Sequence, residues 1–318
     1  MTVLEFKRDT PEVEKPFPAV SVKNILYATD FSPTSESALP YATAICHRFG
    51  ATLHVAHVLS DVGLLFMAGG VDYVSMGSIY EDTQNAAKEE LDQITKRLGK
   101  IPSRAYVQHG KVWKNLSAIV AEHSIDLIII GTHGRTGLGK LLLGSVAEEI
   151  LRHSSCPVLT VGPEVRGRAR LPQHDCGDHE LVPLELEMRQ ILSAVKLSPA
   201  SLRVARAAVA LASDFHAKLT LMHVIEQYND PGSPQELIEA GVRQIQSIVP
   251  KEAALAYAPD FVIEVGSAGQ SILNVAQERD ADLIVMGVRR SDGATHLPWS
   301  TVHRVVAHAP CPVLTVPA

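Results

Sequence analysis

Apolar positions along this chain fall into two alternating kinds of run. Short stretches rich in Val, Ile and Leu at 25–29, 53–58, 104–108, 127–131 and 157–161 are separated by longer segments with apolar residues at helical spacing. Leu116, Ile119 and Val120 share one face of one such segment, and Leu143, Val146 and Ile150 one face of the next. Leu127 to Ile130 is apolar at every position, as a central strand of a parallel sheet covered on both faces would be. Ser32 is placed to cap a helix that opens with Pro33, and Gly50 stands where the chain must leave that helical stretch. The pattern predicts an α/β chain of alternating strands and helices.

The same pattern occurs twice. Ile25 to Pro33 and Phe49 to Val58 return as Ile191 to Pro199 and Phe215 to Val224, both at an offset of 166. Ile125 to Gly131 returns as Ala281 to Gly287, and Cys156 to Val161 as Cys311 to Val316, at offsets of 156 and 155. A repeat of roughly 140 residues is a whole domain, so the chain reads as a duplication with a loop about ten residues longer in the first copy. Residues 163 to 188 hold prolines, glycines and charges of both signs without a period. The expected organisation is an extension over 1–20, a domain over 21–163, a linker over 164–188 and a second domain over 189–318. Residues 63 to 78 form an apolar insertion of the first copy: packing against its own domain, a lid or a partner surface all fit it.

Composition narrows the class. In 318 residues, 46% apolar, no run approaches the roughly 18 apolar residues of a membrane span. Met1 to Val20 mixes charges and prolines and lacks the apolar core of a secretory signal, so a cytoplasmic protein is expected. A net charge of −6 gives no basic surface for nucleic acid or an anionic membrane. The four cysteines form no C-x-x-C pair and read as buried thiols. His174, Asp175, Cys176, Asp178 and His179 resemble a metal-binding tract, but a polar linker has the same composition.

The chemistry gathers after the strand ending at Gly131, where Gly131, Gly134, Gly137, Gly139 and Gly144 precede Ser145. A loop at the carboxyl end of a parallel strand is where doubly wound sheets take ligands. Glycines allow backbone N–H groups close to phosphate oxygens and permit a cradle with positive φ, expected here of Gly131 and Gly134. Gly144 and Ser145 begin a helix whose free N–H groups and dipole favour an anion. Gly134 to Lys140 also matches most of a P-loop, but Leu141 stands where Ser or Thr would hold Mg²⁺, and the loop follows the fourth strand, not the first.

Taken with Ala28-Thr-Asp-Phe-Ser-Pro33 after strand one, His57-Val58 after strand two and Cys156-Pro-Val-Leu-Thr-Val161, the G-x-x-G, nine residues, G-S spacing resembles the ATP-binding branch of the universal stress protein family. That resemblance spans both halves and implies two doubly wound, open, parallel five-stranded sheets, Rossmann-like and of the adenine-nucleotide α-hydrolase type, with strand order 3-2-1-4-5. It also implies ATP or a related adenine nucleotide, with Mg²⁺ or Mn²⁺ held mostly by phosphates. Asp30 and Val58 would face the adenosine, with Ala28 and Thr29 beside them. Gly131 and Gly134 would face phosphate or ribose, Gly144, Ser145 and Val146 the phosphate tail, and Arg135 the nucleotide from the loop. In this family the last strand commonly pairs, so the two halves are expected to join through 157–161 and 312–316, with a homodimer of chains open.

The second copy departs at three of these positions: Arg290 replaces a glycine, Trp299 the glycine before serine, and Lys196 the acid. A degenerate site is expected there. No Ser-His-Asp set, paired carboxylates or activated cysteine can be placed beside the loop. The reading is therefore a nucleotide-dependent stress-response regulator; a slow ATPase or nucleotidyl-transfer enzyme, and a nucleotide-free scaffold, are the competing functions.

Overall fold

The structure is a computed structural model, and it describes residues 21–59, 73–132, 143–165, 186–198, 201–226, 234–249, 253–288 and 299–317. Gly134, Arg135, most of the apolar insertion, the 174–179 tract, Arg289 and Arg290 lie outside them.

The first half runs β1 (Asn24–Ala28), α1 (Pro33–Glu36), α2 (Leu39–Phe49), β2 (Thr52–Leu59), α3 (Tyr73–Arg97), β3 (Ser103–His109), α4 (Val112–Glu122), β4 (Leu127–Gly131), α5 (Ser145–His153) and β5 (Val158–Val161). The second runs β6 (Gln190–Ala194), α6 (Ser201–Phe215), β7 (Lys218–Ile225), α7 (Pro234–Ile248), β8 (Asp260–Val265), α8 (Ala268–Glu278), β9 (Leu283–Val288), α9 (Trp299–His308) and β10 (Val313–Pro317). Each half has strand order 3-2-1-4-5, and the two sheets are joined as β3-β2-β1-β4-β5-β10-β9-β6-β7-β8. Every pairing is parallel except that of β5 with β10. Two separate five-stranded sheets have thus become one ten-stranded sheet. At the seam the Thr160 hydroxyl donates to the Val313 carbonyl and the Thr315 hydroxyl to that of Val158, each at 3.2 Å.

Strand alternation explains the two-faced core. Ile25 and Tyr27 of β1 and Leu127 and Ile129 of β4 face one helix layer, while Leu26, Ile128 and Ile130 face the other. Both layers contain buried residues of both halves, so hydrophobic burial as well as hydrogen bonding ties the domains together. Asp126 pins the start of β1 beside β4: its Oδ2 accepts from the N–H groups of Lys23 and Asn24 at 2.8 and 2.9 Å. Asp282 does the same for Arg189 and Gln190 at 2.7 and 2.9 Å.

The helix signals behave as their chemistry requires. The Ser32 hydroxyl accepts from the Ser35 N–H, Pro33 occupies the first turn of α1, and Gly50 closes α2 in the left-handed region at φ 63°. Three expectations need correction. Val146 is 40% exposed, and the buried face of α5 is Ala147, Ile150 and Leu151, because the helix begins at Ser145 and sets those three toward the sheet. The end of the presumed insertion, 73–78, is the first part of α3. The stretch assigned to the linker ends in Leu186 and Met188, both buried in the core.

Candidate nucleotide-binding site

In the first domain the carboxyl ends of β1, β2 and β4 lie side by side, with Ala28 in register with both Ala56 and Ile130. The chain leaving β1 is held tightly. The Thr29 N–H donates to the Ala56 carbonyl at 3.0 Å, and the Thr29 hydroxyl accepts from the Phe31 N–H at 3.0 Å. The Asp30 carboxylate accepts from the Ser32 N–H at 3.1 Å. These bonds hold Phe31 at φ 60°, where a residue with a side chain is strained, and its ring packs on His57 with centroids 4.3 Å apart. His57 Nδ1 donates to the Thr29 carbonyl at 2.8 Å, and His223 Nδ1 to that of Val195 at 2.9 Å, so the repeated histidine fastens the turn after the first strand in both domains.

Below this turn, the buried Tyr27 hydroxyl donates to the Ser35 carbonyl at 2.9 Å, and burial above all pushes its pKa up to about 12, keeping it a donor. Gly131 is not at positive φ. A Cβ there would lie 2.6 Å from the Thr34 carbonyl oxygen and 2.8 Å from the Ser35 backbone. The glycine lets α1 sit against the end of β4, a packing role in place of the expected cradle torsion. Beyond it, Thr132 is fully buried; its N–H donates to the Val161 carbonyl at 3.1 Å and its carbonyl accepts from the Gly144 N–H at 2.8 Å. The Gly144 donor, expected to be free, is therefore spent on the strand end.

That bond aims α5 at the crevice. Gly144 is its N-cap and supplies no capping side chain, so the N–H groups of the first turn have no intrahelical partner and the positive end of the helix dipole faces the strand ends. Ser145 and Val146 are exposed at this end. Ala28, Thr29, Asp30, Gly131, Gly144 and Ser145 are thus gathered by β1, β4 and α5; Val58 borders the group from β2, half-buried. Sequence reasoning missed Tyr27, Phe31 and Thr132. Nothing in the spacing marks them, although Asp126 and Asp282, also overlooked, stand at the same repeat position.

In the second domain the matching position holds a cleft lined among others by Lys196, Ser198, Met222, Met286 and Thr301. Trp299 is the first residue of α9, and its side chain lies outside the described residues.

A 3-2-1-4-5 parallel sheet with a crevice beyond β1 and β4, where the strand order reverses, defines a doubly wound α/β protein of the kind that takes ligands at a topological switch point. The model of the universal stress protein family matches residues 21–162 and again 187–317. The chain belongs to the universal stress protein family, in tandem two-domain form.

Relatives one repeat long include universal stress protein A homolog 1 of Coxiella burnetii, 35% identical over 141 residues, covering 44% of this chain and 95% of the relative. A universal stress protein of Methanocaldococcus jannaschii is 30% identical over 157 residues, 45% of this chain and 96% of the relative. Over its whole length the fold is similar to that of a universal stress protein from Archaeoglobus fulgidus, with a TM-score of 0.66 and 22% identity, covering 93% of this chain and 97% of that one.

Proposed function

We propose that the first domain binds one adenine nucleotide, ATP with Mg²⁺ or Mn²⁺, and that the bound nucleotide sets the conformation or associations of a cytoplasmic stress-response regulator. One observation carries this reading: the amino end of α5, where Gly144 offers no capping side chain, is tied to the end of β4 through Gly144 and Thr132, beside the turn that presents Asp30. An anionic tail at the helix end and a hydroxyl-bearing group near the Asp30 carboxylate are the complementary ligand features. The phosphates would supply most of the metal's ligands, as suits a cation that keeps several waters. Family membership supports the reading through the G-x-x-G and G-S pattern from Gly131 to Ser145.

Titration calorimetry of MgATP into the full chain tests it. The expected result is one nucleotide per chain, lost in Gly144→Trp and weakened at least about tenfold, or 1.4 kcal/mol, in Asp30→Lys, which copies the second domain's exposed residue. No heat with the unmodified chain, or undiminished binding by a folded Asp30→Lys, would overturn the proposal.

A further inference from the structure

The second domain keeps a cleft of about 110 Å³ at the carboxyl ends of β6, β7 and β9. Its chemistry is not a faded copy of the first site. At the repeat positions of Thr29 and Thr132, two buried polar residues, stand Val195 and Val288. Ala56 and Ile130 correspond to Met222 and Met286, which are buried at the floor of the cleft, and an unbranched thioether can rearrange to admit a guest. The hydroxyls of Ser198 and Ser201 are 3.1 Å apart and engage each other.

Charge has reversed at the mouth. Lys196 takes the place of Asp30 and is exposed; an ammonium only donates, so it cannot accept from ribose hydroxyls as a carboxylate does. The acid on the same rim, Glu226, is turned toward the start of α8, where its Oε1 accepts from the Ala268 N–H at 3.2 Å. Thr301, in the first turn of the ten-residue α9, adds a hydroxyl to the lining.

We propose that this cleft binds a small carboxylate with an apolar body of about five carbons, its head group between Lys196 and the Thr301 hydroxyl, its tail among Met222, Ile272 and Met286. An enclosed apolar cavity of roughly 150 Å³ accepts benzene, so this smaller cleft suits a short unbranched chain whose head group stays at the mouth. A nucleotide is disfavoured by the same residues: its sugar loses an acceptor and its polar edges meet valines. The inference is independent of nucleotide binding in the first domain, where neither methionine lies.

Hexanoate is the probe, titrated into the full chain labelled with ¹³C at the methionine methyl groups, with Met222→Leu and Met286→Leu to assign the signals. The Met222 and Met286 methyls are expected to shift and saturate together. Lys196→Glu and the uncharged 1-hexanol should each weaken the effect about tenfold, equivalent to 1.4 kcal/mol. Both methyls unmoved at about 10 mM hexanoate, tenfold above a Kd of 1 mM, would overturn the proposal. So would equal affinity for hexanoate and 1-hexanol, equal affinity in a folded Lys196→Glu, or displacement of hexanoate from these methyls by MgATP.

Discussion

Arg48 and Asp214 occupy the same position of their repeats, 166 residues apart, and their side chains meet, with the Arg48 Nε donating to the Asp214 Oδ2 at 3.3 Å. The guanidinium also bonds the Asp214 carbonyl and lies 4.1 Å over the Phe215 ring. Phe49 and Phe215, equivalent again, meet edge to face. On the other side of the sheet Glu148 and His303, equivalent at an offset of 155, lie 3.8 Å apart. Equivalent residues touch only across a twofold axis, here a pseudo-twofold running through the seam where Leu159 faces Leu314. Two identical domains joined this way would set Arg48 against Arg48 and Glu148 against Glu148. The halves instead carry opposite charges at Arg48 and Asp214 and an imidazole opposite Glu148.

Charge reversal therefore has a defined outcome. Arg48→Asp and Asp214→Arg each place like charges together and should cost up to about 1 kcal/mol, a modest figure because both groups are partly solvated. The double swap should recover most of that loss in a double-mutant cycle of urea unfolding. A double variant no more stable than the singles would show that the ion pair does not select the pairing.

Gly131→Ala should damage fold and site together. Its Cβ would press on the backbone of Thr34 and Ser35, which a side-chain rotation cannot relieve, so a loss of about 1–3 kcal/mol is expected. The shift of α1 would also disturb the Asp30 turn. Urea unfolding and nucleotide titration should both respond; stability unchanged within about 0.5 kcal/mol would contradict the packing role.

Much of this fold is written in the chain. The doubling, the apolar β4 and the Ser32 cap are local signals set by residue type and period, and they survive into the structure unchanged. The seam between β5 and β10 was legible only through the family resemblance, because an edge strand does not announce its partner. At the site, the order of residues marks Asp30, Gly131 and Gly144 but gives a wrong reason for Gly131 and hides the Gly144 bond. Those depend on α1 crossing β4 and on where α5 starts, which are tertiary facts. The burial expected of Val146 failed for another cause: it stands one turn before the buried Ile150, in the first turn at the exposed end of α5.

The two copies also supply a comparison of helix ends. Gly50 closes α2 at φ 63°, and His216 stands at the matching position after α6 at φ 52°. A side chain in this region costs about 1 kcal/mol that glycine does not incur. His216→Gly is expected to raise stability by roughly 0.5–1 kcal/mol in urea unfolding, partly offset by the greater freedom of glycine in the unfolded chain. A loss of stability would mean that the His216 side chain makes a contact worth more than the torsional relief.

Acid should act first on the first domain, through His54. Its ring is buried at the start of β2, with Nδ1 2.9 Å from the Tyr106 hydroxyl and Nε2 3.4 Å from the Asn24 Oδ1, and it stacks on His123 at 4.7 Å. Burial, then the charges of His123 and Arg104, pushes its pKa down to about 4. The unfolded chain takes up this proton near pH 6.5, the folded chain only near pH 4. The contribution to stability is thus complete above about pH 6.5, falls as pH drops between the two values, and is flat below pH 4. Its size is at most about 3 kcal/mol, reduced where Tyr106 and His123 border solvent. The second domain has Thr220 at this position, bonded to Gln190, so no titrating side chain stands there. His54→Gln should therefore be destabilising at pH 7.5 but progressively less so toward pH 4, with unfolding followed at each pH in urea. A difference between the two proteins that stays constant over that range would remove His54 as the acid-sensitive group.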